Sequence, residues 1–226
     1  MGRWEPREAP STLRNRYGDC KDKTTLMRAM LRSINIPSTA VLLNTRIVID
    51  SDVPTPFLFN HCIVGVPSRF VQNQTDTLMA STDGWVLFDP TNMVTPFGSI
   101  APALQGNSAL VVQDSSAKLV RIPTMAPEFN TVRFRGNFKL DHDGSMTGKV
   151  TVTHLGMAAM DERYQNRTMD KQKLHDNWIS SVQSILKGAS VTAVHIVDLS
   201  DSIQTSFDVS AREFLALSGL FLTDRV

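Results

Sequence analysis

The run Tyr17-Gly18-Asp19-Cys20-Lys21-Asp22-Lys23 constrains this chain more than any other. From Cys20 to Ile34 the apolar residues Leu26, Met27, Met30, Leu31 and Ile34 recur at three- and four-residue steps, which is one face of a helix. Asp19 suits the N-cap. Asp22, three residues on, completes a capping-box-like pair in which a short Asp replaces the usual Glu. The helix is expected to stop before Pro37, because a residue preceding proline avoids helical angles. Cys20, one of only two cysteines, thus falls in the first turn. The free N–H groups and partial positive charge of a helix start favour a thiolate, which makes Cys20 a candidate nucleophile.

Beyond the helix the chain reads as sheet. Residues 39–45 predict one strand, and a loop with Asp52, Pro54 and Pro56 leads to a second at 59–66. A third, 85–88, comes after Asp83-Gly84 and ends before Pro90, which cannot donate to a ladder. A helix succeeded by three strands indicates α+β packing, with the helix laid on a mainly antiparallel sheet. Residues 1–16 are polar, proline-bearing and without periodicity, and are expected to be irregular. Pro96, Gly98, Pro102, Gly106, Pro123 and Pro127 mark 92–127 as irregular chain with one short strand at 109–112, and 101–127 within it as a crossing loop and linker.

The character then changes. Val132, Phe134, Phe138 and Leu140 alternate with polar residues, as do Met146, Val150 and Val152, and Asp141-His142-Asp143-Gly144 between them signals a hairpin turn. A helical section is expected near 157–187, defined by Leu174, Trp178, Val182 and Ile185, and two more strands at 191–197 and 203–209. The expected organisation is a core over 1–100, the linker over 101–127, and a smaller β-rich domain with a helical section over 128–226.

Composition removes several function classes. With 23 basic and 22 acidic residues the net charge is +1, so no nucleic-acid partner is expected. No apolar run approaches the ~18–20 residues needed to cross a bilayer, so no direct membrane span is expected, and residues 1–6 lack the apolar core of a secretory signal. His142, His154, His175 and His195 are widely spaced, and Asp141, Asp143 and Gly144 lack the later ligands of a calcium loop. Neither a metal nor a cofactor is expected.

Downstream of Cys20 lie Phe59-Asn60-His61 and Trp85-Val86-Leu87-Phe88-Asp89-Pro90-Thr91, which supply the imidazole and carboxylate a cysteine nucleophile needs. In this reading Cys20 attacks an acyl carbonyl, His61 takes and returns a proton, and Asp89 fixes the imidazole tautomer. The backbone N–H of Cys20 is a natural oxyanion donor, and Asn60 and Trp4 are weaker candidates for oxyanion or substrate contacts. Strand alternation groups Phe59, His61, Ile63 and Gly65 on one face and Asn60, Cys62, Val64 and Val66 on the other. His61 and Asp89 are therefore expected to face the helix, with Cys62 pointing away into packing. A Cys20–Cys62 disulfide is then not expected. Lys21 and Lys23 are balanced by Asp19 and Asp22, which leaves the helix start and His61 to activate the thiol.

GDCKDK, FNH and WVLFDPT in this order resemble the transglutaminase-like superfamily of papain-type cysteine proteins. The chain is similar, more closely, to bacterial proteins in which a transglutaminase-like core comes after a domain of unknown function, DUF3857. The resemblance covers residues 10–95 in detail, and the remainder is similar to the β-rich C-terminal domain of those proteins. It implies a Cys20–His61–Asp89 triad and a thioester intermediate, acting on amide bonds of peptides or peptide-like substrates by hydrolysis or transamidation. It also implies a periplasmic or cell-envelope setting and an N-terminal domain of a full-length parent as a partner. Such cores place one or two helices before the nucleophile helix, whereas 19 residues precede Cys20 here, so the core reads as N-terminally truncated. The alternative is a non-catalytic binding or scaffold module, or an inactive fragment of a larger envelope protein.

Overall fold

The run around Cys20 does start a helix, and the pair of acids that starts it also ties down the chain before it. The computed structural model describes residues 5–47, 49, 52, 55–71, 80–186, 188–199 and 202–212, and the chain divides into two compact units, 1–126 and 127–226. In the first unit α1 (Ala9–Asn15) and α2 (Cys20–Ser33) precede β1 (Thr39–Leu43), β2 (His61–Pro67), β3 (Ser81–Thr82), β4 (Trp85–Phe88), β5 (Ser108–Val112) and β6 (Ala117–Arg121). The six strands form one antiparallel sheet in the order β3-β4-β2-β1-β5-β6, and α2 packs on β2.

Asp19 caps α2 by accepting from Asp22 N at 3.3 Å, and the buried Asp22 carboxylate accepts from Asp19 N at 3.2 Å and from Arg7 N at 2.8 Å. The expected capping box is therefore present, and its second acid also holds the N-terminal segment. Gly18 is required by close approach: a Cβ there would lie 2.7 Å from Asp22 Cβ and 2.9 Å from Thr12 Cγ2. At its other end α2 gives way to Asn35, whose φ of 59° is the left-handed conformation that asparagine tolerates.

Residues 9–15 are helical, not irregular as expected. Pro10 sits in the first turn of α1, where its missing N–H would have had no intrahelical acceptor, and Thr12 is buried next to Gly18. A seven-residue helix is too short to display periodicity, and its stability comes from packing on α2. One helix thus does precede the helix that carries Cys20. The segment 101–127 also differs from expectation: β5 pairs with β1 and β6 pairs with β5, so it completes the sheet of the first unit. The prolines and glycines flank these strands and leave their ladders intact. Val41, Leu43, Ile63, Leu87, Ala109 and Val111 form one face of the sheet, covered by Ala80, Ile100, Leu104 and Ile122 from the connecting segments.

In the second unit β7 (Val132–Leu140) and β8 (Met146–Leu155) form the expected hairpin, closed by Asp141 N to Ser145 O at 2.9 Å with Gly144 at φ 80°. The helical section is two helices, α3 (Met157–Thr168) and α4 (Lys171–Ile185), because Asp170 caps the second by accepting from Gln172 N and Lys173 N. β9 (Ser190–Asp198) and β10 (Ser202–Ala211) complete an antiparallel sheet of order β7-β8-β10-β9. Its core is Val150, Val152, Val182, Phe207 and Val209, with Trp178 against it.

Candidate functional site

β2 begins at His61, opposite Leu43 of β1, whereas its ladder with β4 begins only at the pair Val64–Phe88. Beside His61, β4 has already ended and the chain has turned at Asp89. Continuing the alternation past the end of β4 puts Asp89 on the same face as Leu87, diagonally across from His61. The outcome is a hydrogen bond of 2.8 Å between His61 Nε2 and Asp89 Oδ2. Asp89 is buried, and its other oxygen accepts from Thr91 N at 2.8 Å and from the Thr91 hydroxyl at 2.6 Å. Both carboxylate oxygens are therefore occupied, one by the imidazole and one by the Asp-Pro-Thr turn.

With Nε2 taken by Asp89, Nδ1 is the ring nitrogen left for Cys20. The Cys20 thiol, half-buried in the first turn of α2, lies within hydrogen-bonding reach of the ring. That contact is the main influence holding the thiol below its ordinary pKa; burial opposes it, and the backbone N–H of Cys62 adds to it. Burial pulls the His61 pKa down, but the hydrogen bonds to Asp89 and Cys20 outweigh it and push the ring up to about 9. Burial likewise works against the Asp89 carboxylate, and the His61 and Thr91 hydrogen bonds overcome it to hold its pKa low. All three shifts favour the same charge state, a thiolate and an imidazolium backed by a carboxylate.

The cation next to Cys20 is engaged by an acid. Lys21 Nζ pairs with Asp19, and Asp19 itself acts to raise the thiol pKa. The Cys20 N–H belongs to the first turn of α2, among the donors that have no intrahelical acceptor.

Cys62 does not point away from α2. The Thr24 hydroxyl, one helical turn after Cys20, donates to Cys62 O at 3.0 Å and also bonds the Cys62 thiol. The Cys62 side of β2 is thus the one against α2, and His61 belongs to the opposite side with Leu43 and Ile63. His61 meets Cys20 because both lie at the end of the sheet, where β4 has ended and only β1 still flanks His61. The distinction between the thiols holds for a different reason: Cys62 is buried, which drives its pKa up to about 11, and both cysteines are free.

Asn60 is directed elsewhere. Its side chain accepts from Thr45 N at 2.9 Å and donates to Asn44 Oδ1 at 3.3 Å, tying the exit of β1 to the start of β2. Trp4 lies outside the described residues. The sequence alone assigns no role to Thr91 or Thr24. For Thr91 a signal is available, since aspartate in a turn habitually accepts from the N–H two residues on. Among the described residues no group of three His, Cys, Asp or Glu side chains is placed to hold a metal ion, and no helix is long and apolar enough to cross a membrane.

Residues 3–90 match the family model of the transglutaminase-like superfamily, so this segment is similar to a family of cysteine-type acyl transfer. No match was found among curated proteins or among solved structures.

Proposed function

We propose that the first unit performs cysteine-dependent acyl transfer, with Cys20 as nucleophile, His61 as general acid and base, and Asp89 as the group that orients the imidazole. What supports this reading is the 2.8 Å hydrogen bond from His61 Nε2 to Asp89, together with a Cys20 thiol whose pKa is lowered chiefly by the same imidazole. The substrate class is an amide of a peptide or peptide-like molecule. The thiolate sulfur attacks the amide carbonyl, forming a carbon–sulfur bond and placing negative charge on the oxygen. The N–H groups of the α2 first turn, that of Cys20 foremost, stabilise that charge. His61 then gives its proton to the amide nitrogen, the carbon–nitrogen bond breaks, and an amine leaves. The resulting thioester passes its acyl group to water or to a second amine, whose proton His61 takes, and the thiolate is released. Hydrolysis and transamidation differ only in that acceptor.

The order of GDCKDK, FNH and WVLFDPT supports a kinship with the bacterial proteins that carry DUF3857, which we propose as the closer relationship. The test is acid-quenched mass spectrometry of the protein after exposure to a library of peptide and cell-wall amides. An acyl mass on the Cys20 peptide, absent from Cys20→Ala, is the expected result. Absence of any adduct, together with equal alkylation of Cys20 and Cys62 across pH, would overturn the proposal.

A further inference from the structure

The nine residues of β7 are all exposed, and β7 is an edge of the second sheet. One side of its backbone therefore has no strand partner among the described residues, an arrangement open to the addition of another strand. The two faces of β7 differ sharply. On the face shared with Val150 and Val152 stand Val132, Phe134, Phe138 and Leu140, with Phe134 61% exposed and Phe138 46% exposed. The Phe138 ring lies over Gly136, and an apolar cavity of about 540 Å³ is lined by this face of β7 and by Trp178, Val182 and Ile185 of α4. Ligand and side-chain pockets commonly have this size and lining.

The opposite face is cationic. Arg133 lies opposite Thr153 and Arg135 opposite Thr151, so neither has an acid across the strand, and neither forms an ion pair among the described residues. The other cations there are engaged or offset: Lys139 pairs with Asp141 at 2.9 Å, and Lys149 lies opposite Asp208. An apolar surface alone would fit many occupants. An apolar face backed by two unneutralised arginines on one free edge fits a strand whose own residues alternate in the same way.

We propose that β7 is a docking edge for an extended peptide segment in which large apolar residues alternate with Asp or Glu. Paired to the free edge, such a segment directs its apolar side chains to the Phe134 and Phe138 side and its carboxylates toward Arg133 and Arg135. A membrane surface would engage only one of the two opposed faces.

Fluorescence anisotropy with a labelled nine-residue peptide of alternating Glu and Val/Phe, titrated with the full 226-residue chain, tests this. The control is the same peptide with Lys in place of Glu. The acidic peptide should bind at least tenfold more tightly than the basic one and weaken as salt is raised. The double variant Arg133→Glu/Arg135→Glu should reverse that preference while its far-UV circular dichroism stays unchanged, and Phe134→Ala should weaken both peptides. Equal or absent binding of the two peptides would overturn the proposal. So would a concentration-dependent dimer of the chain that Phe134→Glu disperses, or arginine-dependent binding to phosphatidylglycerol vesicles without peptide binding.

Discussion

His61 Nε2 and Asp89 Oδ2 stand 2.8 Å apart although 28 residues separate them in the chain. The antiparallel pairing of β2 with β4 folds out that separation, since it aligns Val64 with Phe88 and leaves His61 and Asp89 just past the last rung. Neither side chain could hold the other in place alone. The Thr91 clamp on Asp89 and the β1 pairing of His61 hold the two ends of the bond.

The two cysteines should separate completely in reactivity. Cys20 sits below its ordinary pKa and His61 at about 9, so a thiolate–imidazolium pair prevails between the two values. Iodoacetamide should alkylate Cys20 at a lower pH than it alkylates a free thiol. Cys62, at about 11, should remain unmodified in the folded protein. His61→Ala should move the Cys20 profile upward in pH. Peptide-resolved mass spectrometry of alkylation rates checks all three outcomes, and similar rates at the two thiols would contradict them.

Stability should carry the signature of the His61–Asp89 pair once the thiol's opposing titration is removed. In Cys20→Ala, Asp89 still makes His61 bind its proton more tightly folded than unfolded. Without the Cys20 interactions the folded pKa lies below 9, so stability falls as pH rises from about 6.5 and levels off before 9. Asp89 is ionised in both states over that range and contributes no slope of its own. Adding Asp89→Asn should flatten the dependence, and urea midpoints measured across this window are the check.

Thr91→Val removes the 2.6 Å hydroxyl donation to Asp89 and leaves the 2.8 Å backbone donation in place. The carboxylate should lose part of its fixed orientation, lowering kcat roughly tenfold, about 1.4 kcal/mol, with KM little changed. Thr91→Ser should restore the rate. Steady-state kinetics on an amide substrate of Cys20 distinguish this from a stability defect, which would lower active fraction in both variants.

Gly18→Ala should destabilise the first unit by about 1–3 kcal/mol, because its Cβ would overlap Asp22 and Thr12. Neither neighbour can retreat freely, since Asp22 is held by Asp19 N and Arg7 N and Thr12 is buried. Urea unfolding monitored by tryptophan fluorescence gives the magnitude. An unchanged midpoint would show that α1 yields without cost.

Local physics is legible along the chain. The capping acids at 19 and 22, the proline stop after α2, the Asp-Gly hairpin and the alternation in β7 and β8 each depend on neighbours within a few residues. The short helix α1 is hidden because its stability lies in contact with α2, and β5 and β6 are obscured by the prolines and glycines around them. The helical section reads as one piece because the break at Met169–Asp170 rests on a cap and leaves the apolar period intact.

The groups able to do chemistry are readable from the chain alone: a cysteine at a helix start, a histidine opening a strand, an aspartate in a turn after a strand. Which side of β2 meets α2 is set by long-range packing. Alternation assigns residues to two faces without saying which face is covered, and the answer, Cys62 against Thr24, reverses the simplest expectation. The three groups still gather because they lie at the end of the sheet, where a side chain can reach past the last paired residue to the other side. That freedom comes from where the β2–β4 ladder begins, a property of pairing between distant segments that no local pattern encodes.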